Sequence, residues 1–337
     1  MLSQPAVRGL IISTREDALN LLKDSLVVNC SESAYPNKPK TMFSDQFLDR
    51  LLSVGVSCVV VTAAWENGHN FRTAIDRITD SYSILGGGRI RYGETVEDIL
   101  EAHKNRKVAV VLQFQNTSPI EHDVRLLEVW YKLGVRVMEL TYSQRNLVGD
   151  GCDEETDVGL SNFGRRVVQE MNRIGLVVDL SHTSYMTSMD AIELSKDPII
   201  FSHSNVKALA DFSNDPEWPK RRNLADDQIK ALAEKDGVMG IAAQSFLIKN
   251  DWQKKPPVVK DMVDHIEYVV KLVGANHVGI GLDYTEGNGP PENAIHSVTD
   301  LIEITADLMR RGYSKNEIRK ILGENFLRVF RRVWKTY

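Results

Sequence analysis

Leu176-Val177-Val178-Asp179-Leu180-Ser181-His182 decides the fold, together with its echo Ile199-Ile200-Phe201-Ser202-His203. Each is a β-branched apolar run that ends in Ser-His. The runs are continuous, not alternating, which is the signature of parallel strands buried on both faces. Working outward, six further runs of the same kind are Leu26–Asn29, Ser57–Ala64, Val108–Phe114, Arg136–Tyr142, Val238–Gln244 and Val278–Tyr284. Helical spacing fills the intervals: Thr95–Arg106, Asp123–Leu133 before Gly134, Ser161–Ile174 before Gly175, Asp226–Lys235 and Asp261–Val273 before Gly274. Glycine just past a periodic stretch is the usual helix stop. Strands alternating with helices in this way predict an α/β chain, a single (β/α)8 TIM-type barrel spanning residues 1–337 as one domain. Thr299–Arg311, Lys315–Leu322 and Glu324–Trp334 are read as extra C-terminal helices. An open doubly wound sheet would want a glycine-rich loop after the first strand, and Asn29-Cys30-Ser31-Glu32 is not one.

Bulk properties narrow the function. The chain has 337 residues, 42% hydrophobic and 26% charged, with a formal net charge of −5. That is ordinary globular composition, with no basic cluster of the kind nucleic acid demands. No stretch of 18 or more apolar residues occurs, and Arg8, Arg15 and Glu16 interrupt the N-terminal segment. A membrane or secreted protein is therefore not expected. Three widely spaced cysteines, Cys30, Cys58 and Cys152, suit reduced thiols in a cytoplasm. The expected partner is a small-molecule substrate, with no nucleic acid and no membrane.

Active sites of such barrels sit at the C-terminal ends of the strands. Polar groups collect there: Glu32, Gln115, Tyr142, His182, His203 and Asp283. His182 and His203 end successive strands about 5 Å apart, so they can share one ion. A catalytic zinc takes three protein ligands plus water. Candidates for the third are Gln115, Asp283 and Glu32, and Gln115 would be a weak, neutral one. Asp283, after Gly279-Ile280-Gly281-Leu282, reads as a general acid or base for a metal-activated water, with a loop cap as the plainer alternative. Arg222 could clamp a substrate carboxylate, or could be a solvated surface charge. Tyr142, Asn146 and Glu32 are possible substrate contacts. Gly149-Asp150-Gly151-Cys152 reads as a turn-rich loop over the mouth. Cys30 lacks an activating base and is not a nucleophile candidate.

Leu160-Ser161-Asn162-Phe163-Gly164, Asp179-Leu180-Ser181-His182, Phe201-Ser202-His203-Ser204, Arg222-Asn223-Leu224, Gly281-Leu282-Asp283 and Gly323-Glu324-Asn325-Phe326-Leu327-Arg328-Val329 together resemble the membrane (renal) dipeptidase family of zinc metallopeptidases. The resemblance covers about Leu26 to Trp334. It implies an amidohydrolase-type barrel, a two-zinc site, dipeptide hydrolysis and a homodimer. It also implies that His182 and His203 hold the second metal, that Asp283 is the catalytic aspartate, and that Arg222 holds the substrate carboxylate. This sequence departs from the family at the first metal. The family's His-x-Asp pair corresponds to Ser31 and Ser33, its bridging glutamate to Gln115, and its substrate-binding histidine to Tyr142. Two zinc ions about 3.5–4 Å apart need carboxylate charge between them. At most one tightly bound Zn2+ is therefore expected. The leading expectation is a mononuclear hydrolase cleaving an amide-type bond in a small carboxylate-bearing substrate, a dipeptide or N-acyl amino acid. The alternatives are a metal-poor lyase or isomerase, and a non-catalytic binding protein.

Overall fold

The structure is a computed structural model, described here for residues 4–32, 43–65, 68, 70–84, 88–211, 222–283 and 295–335. Nine parallel strands form the sheet: β1 Val27–Glu32, β2 Val56–Ala64, β3 Ile90–Tyr92, β4 Val108–Phe114, β5 Val135–Glu139, β6 Val177–Asp179, β7 Ile200–Ser204, β8 Val238–Ile241 and β9 Val278–Ile280. Their order is β2-β1-β9-β8-β7-β6-β5-β4-β3, and an additional β2–β4 pairing closes eight of them into a ring. This is the expected (β/α)8 barrel. The ninth strand, β3, was not expected. It lies along the start of β4, Ile90 opposite Val108, where β5 has not yet begun to pair.

The strands sort their side chains by parity, as a period of two requires. Val27, Val59, Val110, Leu112, Met138 and Val178 face the helices in one hydrophobic cluster. Val28, Cys30, Cys58, Val60, Ala109, Val111, Val137, Val177, Ile200 and Val238 form a second cluster inside the barrel. Phe326, Val329, Phe330 and Val333, from the helix Asn325–Val333, join that inner cluster and plug the base. The plug is why the chain needs a helix beyond the eighth strand. Gly279 makes room for it, since a Cβ there would lie 2.4 Å from the Phe326 ring.

Most predicted helices are present, shortened at their ends by caps. Thr95 and Ser161 accept from Asp98 and Gly164 backbone amides, and Gly175 ends its helix at φ +83°. Five helices among the described residues, Gln4–Lys23, Asp45–Ser53, Phe71–Ile84, Tyr185–Leu194 and Ser245–Ile248, were not anticipated. The strands ending in histidine also need correction. The one predicted to run through His182 stops at Asp179, and the one with His203 continues to Ser204. The loop chemistry explains the first difference. Thr183 N and Oγ1 both donate to Leu180 O, and His182 sits in that turn at φ +65°. Ser33 and Tyr284 lie outside the described residues.

Candidate metal and catalytic site

One carboxylate organises the mouth of the barrel. Asp179 Oδ1 accepts from the backbone amides of Ser181 at 3.0 Å and Ser202 at 2.9 Å, the residues just before the two histidines. Ser181 Oγ lies 3.2 Å from Ser202 Oγ and accepts from His203 N at 3.0 Å. Both Ser-His ends are thereby tied to a shared buried point. Small residues make this possible on the next strands. A Cβ at Gly240 or Gly281 would lie 2.0 or 1.8 Å from Ser202 O.

The two imidazoles converge. His182 Nε2 and His203 Nε2 are 3.1 Å apart, with ring centroids at 5.1 Å. His203 is fully buried and His182 partly so. Burial, then the Arg222 guanidinium, pushes both rings well below the usual histidine range, and His203 adds to the effect on His182. Both are therefore neutral ligands at neutral pH. Two neutral imidazole nitrogens brought within 3.1 Å of each other are what a shared divalent ion would require. The pair fits one ion.

Asp283 completes the approach. Its Oδ2 lies 4.0 Å from His203 Nε2. Its backbone is at φ +50°, held by Asp283 N donating to Ser31 O at 3.0 Å and by Gln244 Nε2 donating to Asp283 O. Ser31 Oγ donates to Asp283 Oδ1 at 3.5 Å. Ser31 thus orients the neighbouring carboxylate. Two non-glycine residues with left-handed backbone, His182 and Asp283, face one site, and such strain concentrates where function fixes geometry.

The other candidates divide. Arg222 is buried, not a surface charge: its Nη1 donates to Ser204 Oγ and its Nη2 to His203 O, both at 2.7 Å. No carboxylate among the described residues pairs with it. Tyr142 stacks on His182 at 4.2 Å between centroids and 25°. Gln115 is buried with its Nε2 lacking a hydrogen-bond partner, and among the described residues no polar contact joins it to either histidine. Glu32 accepts from Asn29 Nδ2 at 2.8 Å, a contact within its own strand. Asn146 ties its loop to the connection after β4: Nδ2 donates to Thr117 Oγ1 and Leu140 O, and Oδ1 accepts from Val148 N and Gly149 N. Cys30 is buried, and burial raises its thiol pKa well above the ordinary value, so it is no nucleophile.

Sequence reasoning missed four contributors. Ser143 Oγ sits 2.9 Å from His182 Nδ1, and Ser202 Oγ 2.7 Å from His203 Nδ1. Asp179 and Glu139 stand on the inner parity of β6 and β5, opposite each other in register. A carboxylate inside a mostly apolar strand was the available signal. The predicted mouth loop is fastened by Cys152 N donating to His182 O at 2.8 Å and Ser184 N donating to Asp150 O at 2.9 Å.

Comparison with known proteins agrees with this fold. Dipeptidase tcpJ of Claviceps purpurea is 31% identical over 261 residues, 77% of this chain and 58% of that one. Dipeptidase verJ of Clonostachys rogersoniana is 31% identical over 76% of this chain and 61% of its own length. The chain therefore spans roughly three fifths of the curated relatives it matches. An amidohydrolase structure from Pseudomonas aeruginosa superposes with a TM-score of 0.83 at 29% identity, covering 94% of this chain and 99% of that one. A Rhodobacter sphaeroides metallopeptidase, liganded with a phosphinate mimic of the dipeptide L-Ala-D-Ala, shares the fold at a TM-score of 0.80 and 21% identity, over 92% of this chain and all of that one. The model for Membrane dipeptidase (Peptidase family M19) matches residues 15–336, and the chain belongs to that family.

Proposed function

We propose that the protein is a mononuclear metal-dependent hydrolase that cleaves the amide bond of a dipeptide or an N-acyl amino acid. The observation that carries the proposal is the 3.1 Å approach of two neutral imidazole nitrogens beside the Asp283 carboxylate. His182 and His203 would hold the ion, with the Asp283 carboxylate 4.0 Å from His203 Nε2. Zinc is the ion we assign, because imidazole with carboxylate is its ordinary ligand chemistry. When bound, it supplies Lewis acidity that polarises the amide carbonyl and makes a water molecule more acidic.

The chain's own groups do the rest. Asp283 takes a proton from the attacking water and returns it to the departing amine, one group serving as base and then acid. Ser31 and the backbone bonds at Asp283 keep that carboxylate aimed. Arg222, buried without a carboxylate partner among the described residues, offers its charge to the substrate's terminal carboxylate. A buried guanidinium gains most from such an anion. Tyr142, stacked on His182, covers one face of the pocket. Zinc, residence in the cytoplasm and a homodimer belong to this proposal. Three unpaired, buried cysteines support the second, and family resemblance the third.

The test is hydrolysis of L-Ala-D-Ala, L-Ala-L-Ala and N-acetyl-alanine, each beside its C-terminal amide, with zinc, cobalt or manganese supplied. The expected result is cleavage of at least one free acid and much slower cleavage of its amide. Turnover that persists in chelator would point instead to the metal-poor class, and ligand-induced stabilisation without cleavage to a binding protein.

A further inference from the structure

Arg222, which receives the substrate's carboxylate in the proposed reaction, sits in a segment that two buried side chains fasten. The segment is laced to the connection after β7: Leu224 N donates to Asn205 O at 2.8 Å and Lys207 N donates to Leu224 O at 2.9 Å. The first clip is Asn223, next to the arginine in sequence. Its Nδ2 donates to Ala210 O in that connection and to Leu247 O in the helix Ser245–Ile248, both at 2.8 Å. The second is His265, buried on the helix Val259–Val273. Its Nδ1 accepts from Val206 N, and its Nε2 lies 3.0 Å from Ile248 O. A backbone amide can only donate and a carbonyl can only accept, so this ring is neutral with its proton on Nε2, and both nitrogens are used. Asn223 and His265 therefore cross-link the same two stretches, 206–210 and 247–248, in parallel.

A binding group on a loop is only as precise as the loop that carries it. An arginine side chain also loses rotamer freedom when it meets an anion, and ordering it beforehand removes that cost from binding. Here the buried guanidinium already rests on Ser204 Oγ and His203 O. We infer that His265 and Asn223 are positioning residues for Arg222: as paired clips they set where its guanidinium waits, and thereby the preference for a substrate that ends in a free carboxylate. Neither clip touches the reacting atoms in this scheme. Without the His265 ring, Val206 N and Ile248 O lose their partners in buried residues, and the two stretches must shift to recover them. Arg222 shifts with them, because its neighbour Asn223 is bonded to both stretches. A displaced arginine weakens the grip on a carboxylate and leaves an uncharged amide end unaffected. A disturbed reacting centre would slow acid and amide alike.

This inference rests on the reading of Arg222 as the carboxylate's partner, and its test separates the two. His265→Leu keeps apolar bulk and removes both bonds, His265→Gln supplies an acceptor and an N–H in their place, and Asn223→Ala cuts the other clip. For each variant kcat/KM is measured on the best-cleaved free acid of those named above and on its C-terminal amide, beside Arg222→Ala. His265→Leu and Asn223→Ala are each expected to lower the acid-to-amide ratio about 10–100-fold, and His265→Gln to restore most of it. Once Arg222→Ala is present, adding His265→Leu should lower the ratio no further. A second readout needs no turnover. In protein labelled with 15N-arginine, the signal lost in Arg222→Ala is expected to show restrained Nη rotation in the wild type, kept in His265→Gln and freed in His265→Leu and Asn223→Ala. Unchanged Arg222 rotation in the folded clip variants, or an equal fall on acid and amide, overturns the inference. Freed rotation in those variants, with an acid-to-amide ratio that Arg222→Ala leaves as in the wild type, supports the positioning role while overturning the carboxylate reading.

Discussion

The lower and upper halves of the barrel interior obey opposite rules. Below, Val28, Cys58, Val137, Val177 and Ile200 meet Phe326 and Phe330 in an apolar plug where every side chain is what its parity demands. Above, the same parity carries Glu139, Asp179 and Ser202, with unpartnered carboxylate oxygens and two left-handed backbones beside them. The lower half stabilises; the upper half spends stability to hold a geometry. Regions of this second kind are where proteins conflict with their own local preferences for the sake of chemistry.

The contrast can be broken at several points. Asp283→Asn should cut kcat/KM by about 10²–10⁴ while the fold survives, because it removes the proton carrier and keeps the shape. Steady-state kinetics with circular dichroism check both halves of that statement. Phe326→Ala, in the plug, should do the reverse. It should cost about 3–5 kcal/mol of unfolding free energy in urea titration, with the site's metal affinity retained wherever the protein is folded. An acid-sensitive element lies outside both halves, at His265. Its Nδ1 accepts from Val206 N at 3.0 Å, Nε2 lies 3.0 Å from Ile248 O, and burial lowers its pKa to about 4. A depressed histidine is neutral when folded and charged when unfolded, so its contribution is complete above pH ~6.5 and is lost as pH falls towards 4. That loss should approach about 3 kcal/mol, read as unfolding free energy against pH, and His265→Gln should flatten the curve. The smallest effect concerns strain. Asparagine tolerates the left-handed region, so His182→Asn should raise metal-free stability by about 1 kcal/mol while abolishing metal binding. A drop in stability would show that the upper half is not strained there.

The same division explains what could be read from the sequence. The barrel was legible because buried parallel strands leave continuous apolar runs such as Val108–Phe114, which matches β4 end to end. Ile90–Tyr92 was not, since three residues carry no pattern of their own. His182, His203, Asp283 and Arg222 were legible as polar groups at strand ends. The geometry among them, and the burial of Arg222, depends on loops that fold back, such as the clamp of Cys152 on His182. Glu139 was hidden inside the run Arg136–Tyr142, because only closure of the barrel turns its parity into a position beneath His203. Gln115 and Asn146 show the converse. Position at a strand end suggested roles, but Asn146's hydrogen bonds tie it to its own loop and to Thr117 in the connection after β4.

Metal stoichiometry tests the central claim most directly. Protein equilibrated with zinc and then freed of excess should carry about one ion per chain, and His182→Ala and His203→Ala should each carry none. Two tightly held ions per chain would contradict the single-ion site, and no bound ion with turnover indifferent to chelators would contradict the metal-dependent mechanism altogether.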